Sequence, residues 1–473
     1  MTKSIKLKYI RGMNLISNSI VKSLLDIGNK ENDIEDILSW VKLIRKKTHV
    51  NIKSINFNEL QQWNFSKKTN NLEHNSGKFF SIEGLSCYNS FNGLRWTQPI
   101  INQPEIGYLG ILCKEFNGVL HFLLQAKIEP GNKNFVQLSP TLQATKSNFT
   151  RVHGGKKPDY LDFFSNTSNQ EILVDCLQTE QGSRFYKKRN RNIIIKTDKK
   201  IKVTENFKWL TLYQIKSLVK TNNLINMDTR TVISCLNIAQ FSKNANQKYL
   251  EYGNEFYRSV YEDNQTSIQK NLNKLINVKF SSENISNLIS VNKIKNWVVS
   301  MDRIFHEEER YFEVVAKKVE IESREVFSWD QPMIKPVGQG VCVLFIKKIE
   351  KRFFILTQIK IEPGIFDMLE YGPTIQTNNI MNYQDDCMIN YYLNSKASFK
   401  TAHNSIQSEE GGRFYLEENI NTIILLENNN DLVEIPENYC WISLSDALFI
   451  NSINSLFNIQ LRSLISLIDY KND

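Results

Sequence analysis

The sequence is poor in the features that mark several large protein classes. Its seven cysteines (Cys87, Cys113, Cys176, Cys235, Cys342, Cys387 and Cys440) are scattered singly. No CxxC pair occurs, so neither a disulfide framework nor a structural zinc site is read from them. A reducing cytoplasm is the expected compartment. Long apolar runs are missing as well; the longest is Val341–Ile346. A membrane-spanning helix needs roughly 20 apolar residues in a row, so no membrane span is expected. Lys3, Lys6, Lys8 and Arg11 make a basic start, but no apolar stretch of signal-peptide length follows. There is no GxGxxG, no HxxxH and no His/Cys cluster, which removes the usual signs of a dinucleotide or transition-metal site.

Charge of one sign is also scarce. The 59 Lys and Arg residues exceed the 50 Asp and Glu by only nine. That suits an anionic small ligand, whereas a polynucleotide binder shows dense basic stripes. The densest run, Lys187–Arg191, reads as a solvated strand end. What is present is an ordinary globular composition, 41% hydrophobic and 23% charged over 473 residues. That length is enough for two or three domains. The Asn-rich stretches read as loops.

A duplication organises the chain. WTQPII (96–101) recurs as WDQPMI (329–334), LLQAKIEPG (123–131) as LTQIKIEPG (356–364), and SPTLQAT (139–145) as GPTIQT (372–377). LQTEQGSRFY (177–186) recurs as IQSEEGGRFY (406–415), and WLTL (209–212) as WISL (441–444). Five motifs keep their order at offsets of 229 to 233 residues. The expected organisation is a helical extension over 1–50, a first copy over 51–237, a helical linker over 238–290 and a second copy over 291–473. The two copies are expected to pack as a pseudo-dimer.

Each copy reads as mixed, mostly β structure closed by a helix, an α+β class. Val119–Ile128 begins apolar and then alternates, as a central strand does when its end emerges into a polar site. Gln125, Lys127 and Glu129 are spaced by two and so share one face. Arg184–Tyr186 and Asn192–Ile195 read as a hairpin. Thr211 with Gln214, and Ser443 with Asp446, have the spacing of helix-capping boxes.

The motifs HNSGKFFSIEG (74–84), WTQPII, LLQAKIEPGN (123–132), QLSPTLQATKSNF (137–149), HGGKKPDYLDFF (153–164) and LQTEQGSRF (177–185) resemble the NDP-hexose 2,3-dehydratases of deoxysugar biosynthesis. WDQP, GPTIQ and QSEEGGRF carry the resemblance through the second copy. It spans residues 50 to 470, with Glu307–Glu309 a departure where the family has a glycine after the histidine. The resemblance implies a tandem of Nudix-like folds, a homodimer, no metal and no redox cofactor, and one vestigial pocket of two. It implies loss of the C2 hydroxyl from a dTDP-linked 4-keto-6-deoxyglucose, leaving a 3,4-diketo-2,6-dideoxy sugar. A downstream NADPH-dependent 3-ketoreductase would consume that product; no nucleic-acid or membrane partner is implied. The Nudix box, with its clustered magnesium-binding carboxylates, is absent from the sequence, which speaks against a nucleotide-sugar hydrolase. A non-catalytic nucleotide-sugar-binding protein is the other alternative.

Such an elimination needs a base for the C3 proton, donors at the C4 oxygen and an acid for the C2 hydroxyl. Glu129, Lys127, His153 and Tyr160 are the candidates. Glu129 and Lys127 read either as base and oxyanion donor or as a strand-end ion pair. His153 sits in a Gly-rich loop with Lys156 and reads either as a ligand group or as a surface residue. Tyr160 reads either as a sugar donor or as a tyrosine packed beside Phe163 and Phe164. Trp96 and Trp329 are either core anchors or stacking faces. Gln98, Gln125, Gln143, Gln331 and Gln376, with Thr141, Thr374, Asn148 and Asn190, offer neutral hydrogen bonds to a base or sugar. Arg184 and Arg413 suit a diphosphate, with ion pairs to Glu180 or Glu409 as the alternative, and Arg189 is a further substrate-binding candidate. The first copy keeps more of these polar groups and is expected to hold the working site.

Overall fold

The computed structural model describes residues 3–145, 157–168, 170–322, 326–379, 386–395, 399–427 and 435–472. The protein is α+β, and among the described residues its strands form four sheets. None of the described helices is long and apolar enough to cross a membrane.

Two sheets have seven strands each and share one topology. In one, the order is Glu171–Thr179, Arg189–Lys196, Gly107–Phe116, Val119–Ile128 and Phe207–Thr211. In the other it is Lys400–Ser408, Glu418–Leu426, Gly340–Ile349, Arg352–Ile361 and Tyr439–Ser443. Two short strands join each sheet at matching places, Val136–Ser139 and Leu142–Ala144 in the first, Leu369–Gly372 and Ile375–Thr377 in the second. The second and third strands of each order run parallel, and the other pairs are antiparallel. A parallel centre has to be covered on both faces, and the sequence obeys that rule. In Gly340–Ile349, the side chains of Cys342, Leu344 and Ile346 join the central core, while Val341, Val343 and Phe345 pack outward under the helix Cys387–Ser395.

Helices Met227–Ser234 and Ile459–Ser466 pack against each other between these two sheets. Each begins with an asparagine whose side chain caps a backbone amide, Asn226 to Thr229 and Asn458 to Leu461. Each carries a buried arginine that reaches across to the other half of the chain. Arg230 donates to Ser408 O at 2.8 Å and to Ser463 Oγ at 2.8 Å. Arg462 donates to Thr179 O and, at 2.7 Å, to Thr231 Oγ1. Helix Leu212–Leu218 opens with the full expected box, Thr211 Oγ1 accepting from Gln214 N and Gln214 Oε1 from Thr211 N, whereas helix Leu444–Asn451 has one half of it, Ser443 Oγ accepting from Asp446 N.

The remaining sheets exchange strands. A six-stranded sheet built on Ser81–Tyr88 and Arg95–Asn102 takes Ile285–Ile289 as an added strand. A five-stranded sheet built on Phe312–Ile321 and Ser328–Pro336 takes Val50–Ile55. The strand that leads into each half is thus paired with the opposite half. Within 238–290, Ile238–Asn244, Glu255–Glu262 and Ile268–Ser281 are helices that bury Ile238, Phe241, Tyr257, Val260 and Leu275 in the central core. The expected hairpin of 184–186 with 192–195 does not form. Phe185–Tyr186 instead pairs parallel with Ile101–Asn102, and Arg189–Lys196 belongs to a different sheet. Two residues are too few to show which sheet will claim them, and of the two residues that join Tyr186 to Arg189, Lys187 has a positive φ that turns the chain between the sheets.

Candidate functional site

Two cavities lie among the four sheets, of about 810 and about 880 Å³. Either is large enough for a nucleotide sugar by the usual span of small-molecule sites. The first is lined by Gln125, Lys127, Glu129 and Gln143 from one half of the chain and by Trp329, Gln331 and Arg413 from the other. The second is the converse: Lys360, Glu362 and Gln376 face Trp96, Gln98 and Arg184. The motifs of one copy therefore meet the motifs of the other copy in each cavity.

Backbone contacts enforce this crossing. The Gly131 amide donates to Gly411 O at 2.7 Å, and Leu416 N returns a bond to Gly131 O at 2.7 Å. Gly364 N donates to Gly182 O at 2.6 Å in the second cavity. A Cβ on Gly131 would lie 1.6 Å from Phe414 O, and one on Gly364 would lie 1.9 Å from Phe185 O. Only glycine lets the two segments approach so closely.

Within the first cavity, Glu129 Oε1 accepts from Gln143 Nε2 at 2.7 Å and lies 3.2 Å from Lys127 Nζ; its Oε2 accepts from Asn132 at 3.2 Å. Asn226, the helix cap, donates to Gln143 Oε1 at 3.2 Å, which fixes the amide's orientation. The second cavity repeats this frame, with Gln376 on Glu362 at 2.8 Å and Asn458 on Gln376 at 2.7 Å. Gln331 Nε2 donates to Gly412 O at 2.7 Å and Gln98 Nε2 to Ser183 O at 2.8 Å, so each steadies an arginine-bearing turn. Arg413 stacks on Phe80 at 4.2 Å and Arg184 on Phe312 at 4.1 Å. Among the described residues Glu180 accepts from Asn190, and Glu409 from Gln181, Asn419 and Gln460, instead of pairing with these arginines, and the buried Nε of each arginine has no partner. A stacked guanidinium with an unused donor is suited to an incoming phosphate.

Other expected residues lie elsewhere. Thr141 and Thr374 are buried staples between strands: Leu112 N donates to Thr141 Oγ1 and Phe345 N to Thr374 Oγ1, each at 2.9 Å. Their hydroxyls donate onward to Leu123 O and Leu356 O. Neither lines either of these two cavities. Tyr160 donates to Lys202 O at 2.9 Å and meets Phe207 edge-on, outside both cavities. Arg189 stacks on Phe366 at 4.3 Å, also outside them. Asn190 lines the first cavity and donates to Glu180 Oε1. Trp96 lines the second and donates to Gln98 Oε1 at 3.1 Å. Asn148, His153 and Lys156 lie outside the described residues.

A family model described as NDP-hexose 2,3-dehydratase matches residues 34–236 and 272–468. The chain belongs to this family. It is thus a sugar-nucleotide 2,3-dehydratase, a lyase. The dehydratase is 38% identical over 425 residues to the dTDP-4-dehydro-6-deoxy-alpha-D-glucopyranose 2,3-dehydratase of Saccharopolyspora spinosa, covering 87% of this chain and 86% of the relative. It is 35% identical over 447 residues to the enzyme of the same name from Amycolatopsis orientalis, covering 92% and 90%. A third such enzyme, from Streptomyces violaceoruber, is 37% identical over 415 residues, covering 86% and 90%.

The dehydratase's first cavity also holds carboxyl groups that the motifs did not mark as site residues. Glu180, Asp228 and Glu410 line it with Lys188. Burial raises Glu180, opposed by Lys188 and Arg462. Glu410 is pushed up to about 7, by burial first and then by Glu129, against Arg413 and Lys127. Asp228 is raised well above the ordinary carboxylate range, by burial and by Glu180, Glu410 and Glu129. The signal that would have found two of them lay in the repeat itself. Gln181 stands where the second copy has Glu410, and Gln460, two residues past the capping Asn458, matches Asp228, two past Asn226.

Proposed function

We propose that the first cavity is the active site and that its substrate is dTDP-4-dehydro-6-deoxyglucose, dehydrated across C2 and C3 to the 3,4-diketo-2,6-dideoxy sugar. The observation that carries the placement is the mismatch between otherwise equivalent cavities. The first has Glu410 and Asp228 where the second has Gln181 and Gln460. An elimination moves protons, and glutamine cannot supply or accept one at neutral pH. The second cavity keeps the frame without these acids.

In this reading Arg413 meets the diphosphate, and Trp329 with Phe80 bounds the nucleotide side. Lys127 supplies positive charge where the C4 oxygen becomes anionic, and Glu129, already engaged by three donors, sets the direction of Lys127 and Gln143. The matching strand orders of the seven-stranded sheets support a tandem of Nudix-like units, each mixed-sheet with flanking helices. The chain works as a homodimer in the cytoplasm, and its vicinal diketone passes to an NADPH-dependent 3-ketoreductase. Sedimentation at working concentration tests the dimer, and a stable isolated diketone would count against the need for the reductase.

The site assignment is tested with a trap for vicinal diketones. Protein, substrate and ortho-phenylenediamine are incubated with EDTA, and the quinoxaline is followed by mass spectrometry. The wild-type chain gives the adduct, Lys127→Met loses it, and Lys360→Met keeps it. Activity lost with Lys360→Met and kept with Lys127→Met would move the active site to the second cavity.

A further inference from the structure

The frame shared by both cavities leaves a specific question: which groups carry protons in the first. Glu129 recurs as Glu362 with the same glutamine partner, so it does not separate the two cavities. Asp228 and Glu410 do. Asp228 is the second residue of helix Met227–Ser234, only 2% exposed, and it lines the first cavity. Its Oδ1 is buried and has no hydrogen-bond partner among the described residues. An orphaned buried carboxyl oxygen costs stability unless something uses it. Glu410 is half-buried on the same wall, with Oε1 accepting from Gly412 N at 2.8 Å. Three carboxyl groups face Asp228, from the turn after Glu171–Thr179 (Glu180), from the end of Val119–Ile128 (Glu129) and from the turn before Arg413 (Glu410). Lys127 is the cation that opposes them.

We propose that Asp228 and Glu410 are the acid and the base of the dehydration, an assignment that rests on the first cavity being the active site. Glu410, as carboxylate, takes the C3 proton. The C–H electron pair becomes the C3–C4 enolate, with its charge on the C4 oxygen beside Lys127. The electrons then form C2=C3 and expel the C2 hydroxyl, which takes the Asp228 proton and leaves as water. The C3 hydroxyl of the resulting enol returns its proton to Asp228, and the proton on Glu410 goes to C2. Both groups end as they began, and the sum is substrate to diketone plus water. The two environments fit the two tasks: burial first, and then the neighbouring carboxyl groups, favours the protonated form of Asp228, while Glu410, pushed up to about 7, lies near neutrality with Arg413 beside it.

The roles are separated by deuterium exchange in the full-length chain. In D₂O, Asp228→Asn keeps its base, so recovered substrate gains deuterium at C3 while diketone formation falls at least a hundredfold. Glu410→Gln loses both exchange and dehydration, each at least a hundredfold. Both variants bind dTDP within about threefold of wild type. Should Asp228→Asn fail to fold, Asp228→Glu keeps an acid there and retains dehydration within tenfold. Wild-type dehydration by Asp228→Asn, a hundredfold loss in Asp228→Glu, or wild-type exchange by Glu410→Gln would overturn the proposal. Failure of the cavity placement has a different signature, since it shows in the Lys127 and Lys360 variants.

Discussion

The amide of Gly131 donates to the carbonyl of Gly411 at 2.7 Å, and this bond joins the proline-glycine end of one motif to the arginine turn of another more than a domain's length away in sequence. A methyl group on Gly131 would lie 1.6 Å from Phe414 O. Backbone cannot yield as a side-chain tip can, so Gly131→Ala is expected to cost at least about 3 kcal/mol. Thermal unfolding of Gly131→Ala and Gly364→Ala measures the cost. Turnover at permissive temperature should suffer more with Gly131→Ala, because that glycine directly follows Glu129 and Pro130, which line the cavity with the acids. Equal turnover in the two variants would count against the difference.

Thr141 provides a test of structure without chemistry. Its hydroxyl accepts from Leu112 N and donates to Leu123 O, all three groups being buried. Thr141→Val leaves that amide without an acceptor, at about 1–3 kcal/mol. The melting temperature should fall while KM for the nucleotide sugar stays within twofold. A large rise in KM would return Thr141 to the substrate.

Glu370 should make a contribution to stability that falls as pH rises from 5 to 7. This carboxyl is buried, bonded by Thr179 Oγ1 at 2.8 and 3.0 Å, and pushed up to about 7 by burial against the opposing charge of Arg462. A carboxyl raised in the folded state favours folding fully below its unfolded value, near 4.5. That contribution is lost as pH rises to about 7, amounting to about 3 kcal/mol. Glu410 and Asp446, raised to about 7 and about 6, act in the same direction. Melting curves of Glu370→Gln between pH 5 and 7 should therefore be flatter than wild type. An unchanged slope would mean that Glu370 is ionised in the folded protein.

The exchanged strands predict that neither half folds alone. A 1–237 fragment lacks Ile285–Ile289 and leaves the Ser81–Tyr88 edge open. A 238–473 fragment lacks Val50–Ile55. Each should be insoluble or unfolded by circular dichroism, and co-expression should restore turnover. A cooperative melt from either fragment would refute this.

The local chemistry of the site was legible because it depends on short-range spacing. Gln125, Lys127 and Glu129 reach one cavity because a strand alternates faces, and Thr211 caps its helix because Gln214 sits three residues on. The pairing of motifs was not legible. A repeat at constant offset shows which residues are equivalent, but equivalence is the same whether Arg413 faces Glu362 or Glu129. The deciding contacts are backbone bonds between glycines, which carry no side-chain signature. Asp228 was hidden for another reason: a lone aspartate near a helix start has the ordinary look of a dipole-compensating residue. Its significance appears only beside Gln460.

The exchanged strand also sets a timetable for synthesis. Asn51 meets Glu320 across 269 residues of chain. At ribosomal speeds of about 5–20 residues per second, Val50–Ile55 waits tens of seconds for its partner strand. Throughout that interval it is an open edge able to pair with a neighbouring nascent chain. Its own composition answers the hazard: Asn51, Lys53 and Ser54 remain exposed even in the finished sheet, and a lysine on a waiting edge discourages the wrong partner. Replacing Lys53 with an apolar residue would be felt first in the yield of soluble chain leaving the ribosome, before any loss in the folded enzyme.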